Sequence, residues 1–468
     1  MITCSSKYTW FEIPRHDPPK RPALQRAHDF REIYNLYDED TVREQASRCI
    51  QCGMPFCTVG CPLQNRIPEW IRLAAEGEFL EASAISCSTS NLPEICSRLC
   101  PQERLCEGMC TLNTHADPVP IGAIERYINE YAFAHGAVDA YPVMPNGKRV
   151  AVVGSGPAGI ACADELAKLG YAVTVFESLP IAGGLLVNGI PSFKIEKNLV
   201  ERRLEVMRRR GVVFRTQVAV GHDISLGELL HEFDALFLGM GAQRPKPLGA
   251  PGEDLSGVHH ALPFLIQKNV GAVSNLPDVD VEGRRVVVVG GGDTAMDCLR
   301  TALRSGARDA ICVYRRDLAN MPGSRKEYHN ALEEGATFLF LTNPLAVEGN
   351  AEGHVTQLRC IRMELGAPDS SGRRSPRKVP GSEFVIPADI VLVAYGFDPE
   401  PLPEDADWRS IAVNDWGGVV VDENLMTSRP KVFSGGDQVR GANLVAYAVK
   451  DGRRAARGIH RHLTKQSR

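Results

Sequence analysis

Two stretches of the chain share one pattern of apolar and polar positions: a short β-branched run, a glycine cluster, then a helical periodicity. KRVAVVGSGPAG begins the first at residue 148, and RRVVVVGGGDTA begins the second at residue 284. Units of this kind build parallel, doubly wound sheets, so two of them predict two Rossmann-like α/β dinucleotide-binding domains. A further apolar run, ADIVLVAYG at 388–396, reads as a strand. The closing text, VFSGGDQ followed by the helical ANLVAYAVKDGRRAARGIHRHL, is expected to complete the first of the two domains. The polar stretch 366–382 reads as an exposed hairpin or loop. The expected division is a helical domain over 1–145, one dinucleotide unit over 146–280 plus 388–468, and a second over 281–387.

At 468 residues the chain exceeds what one core usually serves. Apolar residues at 44% and charged residues at 24% describe an ordinary globular protein. The formal net charge of -4 shows no basic excess, which argues against nucleic acid or an anionic membrane as the main partner. No apolar run approaches the roughly 20 residues that cross a bilayer, and the first residues lack the apolar stretch of a secretory signal. A cytoplasmic location is expected.

Cysteine changes this picture. Ten of the fourteen cysteines precede residue 111, and eight of them form two groups. One reads Cys49-x2-Cys52-x4-Cys57-x3-Cys61-Pro62, the other Cys96-x3-Cys100-Pro101-x5-Cys106-x3-Cys110. Eight thiolates are what two four-iron clusters need, one terminal thiolate per iron. Structural zinc is the competing assignment for the same thiols. The x4 and x5 gaps, wider than a zinc knuckle, and the redox-type units that follow favour clusters. Cys4, Cys87, Cys162, Cys298, Cys312 and Cys360 stand alone and read as small buried hydrophobes.

In the first glycine turn, Gly154, Gly156, Pro157, Ala158 and Gly159 permit a tight bend, close approach of backbone to a pyrophosphate and packing of helix on strand. Glu177 ends the next strand, eighteen residues after Gly159, where a carboxylate can accept ribose hydroxyls. The remote Gly435, Gly436 and Asp437, ahead of a helix starting near Asn443, point to FAD. Backbone approaches the flavin chain there, and the helix terminus faces the flavin carbonyl. In the second turn, Gly290, Gly292, Asp293, Thr294 and Ala295 repeat the pattern, but the following strand ends in Arg315 and Arg316. Paired guanidiniums suit a 2′-phosphate, so NADPH is favoured over NADH. A solvated strand edge is the alternative reading of that pair. Arg325, in MPGSRKEY, could add a phosphate contact.

CIQCGMPFCTVGCPLQNRIPEW, LPEICSRLCPQERLCEGMC, GSGPAG, GGGDTAMD, VYRR, MPGSRKE and the late SGGD together resemble the small (β) subunit of bacterial NADPH glutamate synthase, over nearly the whole chain. The same module is similar to the N-terminal half of dihydropyrimidine dehydrogenase and to NADPH:ferredoxin-type oxidoreductase subunits. The resemblance implies a mainly α-helical iron–sulfur domain followed by a glutathione-reductase-like pair of domains. It implies crossed ligation, with Cys49, Cys52, Cys57 and Cys110 on one [4Fe-4S] cluster and Cys61, Cys96, Cys100 and Cys106 on the other. Dihydropyrimidine dehydrogenase has a glutamine in place of one cluster cysteine, and Glu125 stands in the corresponding region here. Implied flavin contacts are Glu177, Gly184, Leu185, Lys194, Val220 and Asp437 through Ala442, Asn443 and Leu444. Implied dinucleotide contacts are Gly292 to Ala295 with Arg315 and Arg316.

The implied function is electron input: NADPH oxidised, electrons passed through FAD and two clusters to a large (α) subunit that makes L-glutamate from L-glutamine and 2-oxoglutarate. No catalytic side chain is required, since the cofactors carry the chemistry. The chain has no Cys-x2-Cys beside the flavin turn, no recognisable glutaminase nucleophile and no 2-oxoglutarate site. Two rivals stand beside this reading: the same module serving another acceptor such as ferredoxin, and an assembly module with merely structural clusters.

Overall fold

The computed structural model describes residues 8–138, 141–271, 276–368 and 374–465. Cys4 lies outside these residues. The N-terminal part is helical, with helices Glu39–Ser47, Ile67–Glu76, Phe79–Thr89, Pro93–Leu99 and Ile121–Ala134 around a core of Val42, Trp70, Phe79, Ile124 and Ile128. Ile67–Glu76 shows why these segments are helices. Pro68 sits in the first turn, Ile67, Trp70, Ile71, Ala74 and Ala75 form one buried stripe, and Gly77 stops the helix at φ 89°.

Two five-stranded parallel sheets follow. The first contains β1 (Arg149–Val153), β2 (Ala172–Phe176), β3 (Val213–Arg215), β4 (Ala235–Leu238) and a late edge strand, Val432–Ser434, that pairs with β4. The helix Val445–Lys465 then packs on Pro157–Lys168, the helix of the first glycine turn. Their approach is close: a Cβ on Gly452 would stand 2.1 Å from the Ala158 carbonyl oxygen.

The second sheet has β5 (Val258–His260), β6 (Arg285–Val289), β7 (Asp309–Val313) and β8 (Thr337–Leu339), with Ile390–Val393 paired between β5 and β6. This corrects the expected division, which gave 258–260 and 390–393 to the first unit. Val258–His260 carries two histidines and so little strand signal, whereas Ile390–Val393 is an apolar run that either sheet could accept, and for it a long-range contact decides. Asp389, at the start of its strand, accepts from Arg285 N at 2.8 Å and pairs with the Arg285 guanidinium at 2.6 Å, seating Ile390–Val393 against β6. Between β8 and Ile390 lies an antiparallel sheet of Thr342–Gly349, Val355–Pro368 and Arg374–Pro387. The last two strands flank the polar stretch read as a hairpin, of which 369–373 lie outside the described residues.

The helical part is tied to both sheets by buried charge pairs. Glu94, fully buried on Pro93–Leu99, takes both arms of Arg203 at 2.8 Å. Arg26, ahead of the helices, bonds Glu334 at 2.9 Å beside Arg300 and Arg304. No helix among the described residues is long and apolar enough to cross a membrane.

Candidate redox centre

Proline shapes both cysteine groups. A residue before proline is pushed out of the helical region, and Cys61 (ψ 122°) and Cys100 (ψ 136°) are accordingly extended, ending the helices Phe56–Gly60 and Pro93–Leu99 on a thiol. The eight thiols line two cavities. Cys49, Cys52, Cys57 and Cys110 line one, with Ile50, Ile71 and Val119. Cys61, Cys96, Cys100 and Cys106 line the other, with Trp70, Gln102 and Glu125. Among the described residues no group of three or more His, Cys, Asp or Glu side chains is arranged to hold a metal ion.

Burial raises three of these thiols, Cys49 up to about 12 and Cys57 and Cys61 up to about 11, so without a cation beside them these three stay protonated. An iron core is a group that would draw off those protons. Glu125 enters the second cavity beside all four thiols rather than in place of one. Burial pushes its carboxyl up to about 7, and it accepts from Asn65 at 2.8 Å and Ser86 at 2.9 Å. The remaining lone cysteines are free, with Cys162, Cys298, Cys312 and Cys360 buried and Cys87 half-buried.

Each glycine of the first turn meets a different constraint. Gly154 has φ 92°; a Cβ on Gly159 would lie 1.9 Å from Gly154 O; a Cβ on Gly156 would meet nothing within 4 Å. The open position is the one where a phosphate chain can approach. Glu177 is buried at the end of β2, accepting from Ser155 N at 3.1 Å and Leu179 N at 2.9 Å. Ser155 Oγ accepts from Gly183 N at 2.8 Å, drawing in the loop to Gly184 and Leu185, where a Cβ on Gly184 would come 2.6 Å from Gly156 Cα.

Gly436 (φ 74°) precedes Asp437, whose carboxyl burial pushes up to about 7 and which accepts from Asn443 N at 3.2 Å. Ala442 and Asn443 are exposed and Leu444 half-buried, just before the helix Val445–Lys465. In the first turn of that helix Ala446 lines the second thiol cavity. Lys194 reaches across to the second unit, pairing with buried Asp297 at 3.0 Å. Val220 packs against the apolar cluster that includes Phe176 and Trp408.

The second turn repeats the division of labour. Gly290 has φ 145°, its Cβ position blocked by Ala394 O at 2.4 Å, and Gly292 is open. Thr294 and Ala295 begin the helix Asp293–Arg304. Arg315 is exposed at the end of β7, while Arg316 Nε and Arg325 Nη1 are buried without a hydrogen-bond partner, and Arg325 Nη2 donates to Ala319 O at 3.1 Å. Buried cationic nitrogens left unpaired fit an anionic ligand.

Sequence reading missed Ser155, which holds Glu177; Asp451, which accepts from Gly436 N at 3.1 Å; and Ser324, which donates its N–H to Asp293 at 2.9 Å. Asp451 alone left a signal, as a carboxylate on the apolar stripe of the last helix.

Comparison with known proteins agrees with this layout. The family described as dihydropyrimidine dehydrogenase domain II, 4Fe-4S cluster, matches residues 26–137, and that of pyridine nucleotide-disulphide oxidoreductases matches 148–452. The glutamate synthase (NADPH) small chain of Escherichia coli is 46% identical, covering 97% of this chain and 98% of that protein. The putative oxidoreductase AegA of Escherichia coli is 48% identical over 95% of this chain, which matches 69% of that longer protein. Mycobacterium tuberculosis FprA, solved in complex with NADPH, shares the fold over 68% of this chain and 85% of its own, with a TM-score of 0.58 at 23% identity. The chain therefore belongs to the glutamate synthase (NADPH) small chain family, an oxidoreductase in which a 4Fe-4S domain precedes a pyridine nucleotide-disulphide oxidoreductase unit.

Proposed function

We propose that this chain is the electron-input subunit of an NADPH-dependent glutamate synthase, passing electrons from NADPH through FAD and two [4Fe-4S] clusters to a large subunit that forms L-glutamate from L-glutamine and 2-oxoglutarate. The observation that carries this reading is the pair of four-thiol cavities, one of which reaches the first turn of the helix that follows Asp437. When bound, FAD and the clusters convert a two-electron donor into single-electron transfers.

The chain's own residues bind and orient. Gly156 and Gly292 admit the two pyrophosphates, Glu177 and Asp437 hold the FAD chain, and Arg315, Arg316 and Arg325 select the 2′-phosphate. Lys194 holds the two units in register through Asp297. Cys61, Cys96, Cys100 and Cys106 stand nearer the flavin, and Cys49, Cys52, Cys57 and Cys110 form the exit side. Ile50, Ile71 and Val119 keep water from the thiolates of the first cavity.

Anaerobic addition of NADPH to the purified chain tests the reading. Flavin bleaching with NADPH and not NADH, about eight irons per chain, and glutamine- and 2-oxoglutarate-dependent NADPH oxidation on adding the large subunit are the expected results. Zinc in place of iron would sink it. The 48% identity to AegA supports a second reading, the same module feeding another acceptor; NADPH-reducible clusters with no response to the large subunit would select it.

A further inference from the structure

The loop that carries Ser324 lies directly on the second glycine turn. Gly323 N donates to Gly291 O at 2.8 Å, and a Cβ on Gly323 would stand 3.0 Å from that same oxygen, so loop and turn move together. Ser324 is 7% exposed and makes two bonds in opposite directions. Its N–H donates to Asp293 at 2.9 Å, on the turn where the nucleotide phosphates would lie, and its hydroxyl donates to Glu103 Oε1 at 3.0 Å.

Glu103 belongs to the iron–sulfur domain, in the short turn Gln102–Arg104 between Cys100 and Cys106. That turn is knotted. Gln102 O accepts from Leu105 and Glu107 at 3.0 Å and from Gly108 at 3.1 Å, so a displacement of Glu103 is carried to Cys106. Gln102 itself lines the second thiol cavity.

We propose that Ser324 and Glu103 couple the dinucleotide turn to the cluster held by Cys61, Cys96, Cys100 and Cys106, so that a nucleotide seated at Gly292 and Asp293 shifts that cluster's reduction potential. By linkage the cluster's oxidation state shifts nucleotide affinity by the same factor. A subunit built this way senses, at the nucleotide, whether the cluster has yet passed its electron on. Ser324 and Glu103 are positioning residues, acting through Asp293 and Cys106. The inference rests on the proposed function for the presence of the cluster.

Redox titration of the iron- and flavin-loaded full chain, followed by the electron paramagnetic resonance of the reduced clusters with and without saturating NADP+, tests it. Wild type is expected to shift one cluster potential on binding NADP+, a tenfold coupling being 59 mV for one electron. Ser324→Ala and Glu103→Ala should lose most of that shift. Glu103→Gln, which keeps the acceptor oxygen, should retain it. An equal shift in wild type and both alanine variants, or none in wild type, would overturn the coupling alone. A chain that takes up no iron would overturn the proposed function with it.

Discussion

Gly156 and Gly159 stand three residues apart under opposite constraints, one facing open space and the other a carbonyl at 1.9 Å. Gly156→Ala, at φ −68°, should leave stability within about 0.5 kcal/mol of wild type while flavin content falls sharply, measured by absorbance and denaturant titration on one preparation. Gly159→Ala should instead cost roughly 1–3 kcal/mol or more through overpacking. Replacing Arg315 and Arg316 together with alanine should raise KM for NADPH roughly 10- to 100-fold, the worth of about 1.5–3 kcal/mol in charge-assisted bonds, and leave KM for NADH unmoved. Asp437 gives a pH signature. Its pKa is raised by burial to about 7, so the folded chain keeps a proton that the unfolded chain releases from about pH 4 upward. Stability of the flavin-free protein should fall as pH rises from 4 to 7, and Asp437→Asn should flatten that slope.

Among elements, Pro93–Leu99 has two tasks: it carries Cys96 and it anchors the helical domain through Glu94. Arg203→Ala would strand a fully buried carboxylate, at about 3–5 kcal/mol. Thermal unfolding followed by iron release should show both falling together. That pair could not be read in the text, because Glu94 and Arg203 lie 109 residues apart and each alone looks like a solvated charge. The glycine turns were legible for the opposite reason, as the positive φ of Gly154 and the carbonyl that Gly159 faces both belong to one turn. The strand Ile390–Val393 was legible as a strand and not in its sheet, since only Asp389 meeting Arg285 assigns it. The grouping of the thiols came from family likeness. Spacing leaves Cys61 and Cys110 free to join either set, and the folded chain sends each to the cavity of the other cysteine group.

At the scale of the whole molecule, thiols pack against the core of the helical domain, the first sheet shares its core with Leu92 and Ile95 of that domain, and the second sheet has an apolar core of its own. Chelating the iron should therefore raise hydrogen exchange across 26–137 while the strands of the second sheet stay protected. The late position of Val432–Ser434 and Val445–Lys465 in the first sheet has a consequence for biosynthesis. Translation delivers the N-terminal domain first, so all eight thiols leave the ribosome while the flavin pocket still lacks its edge strand, Asp437 and its closing helix. Iron is thus expected to load before flavin: chains halted before residue 432 should carry metal and no yellow colour.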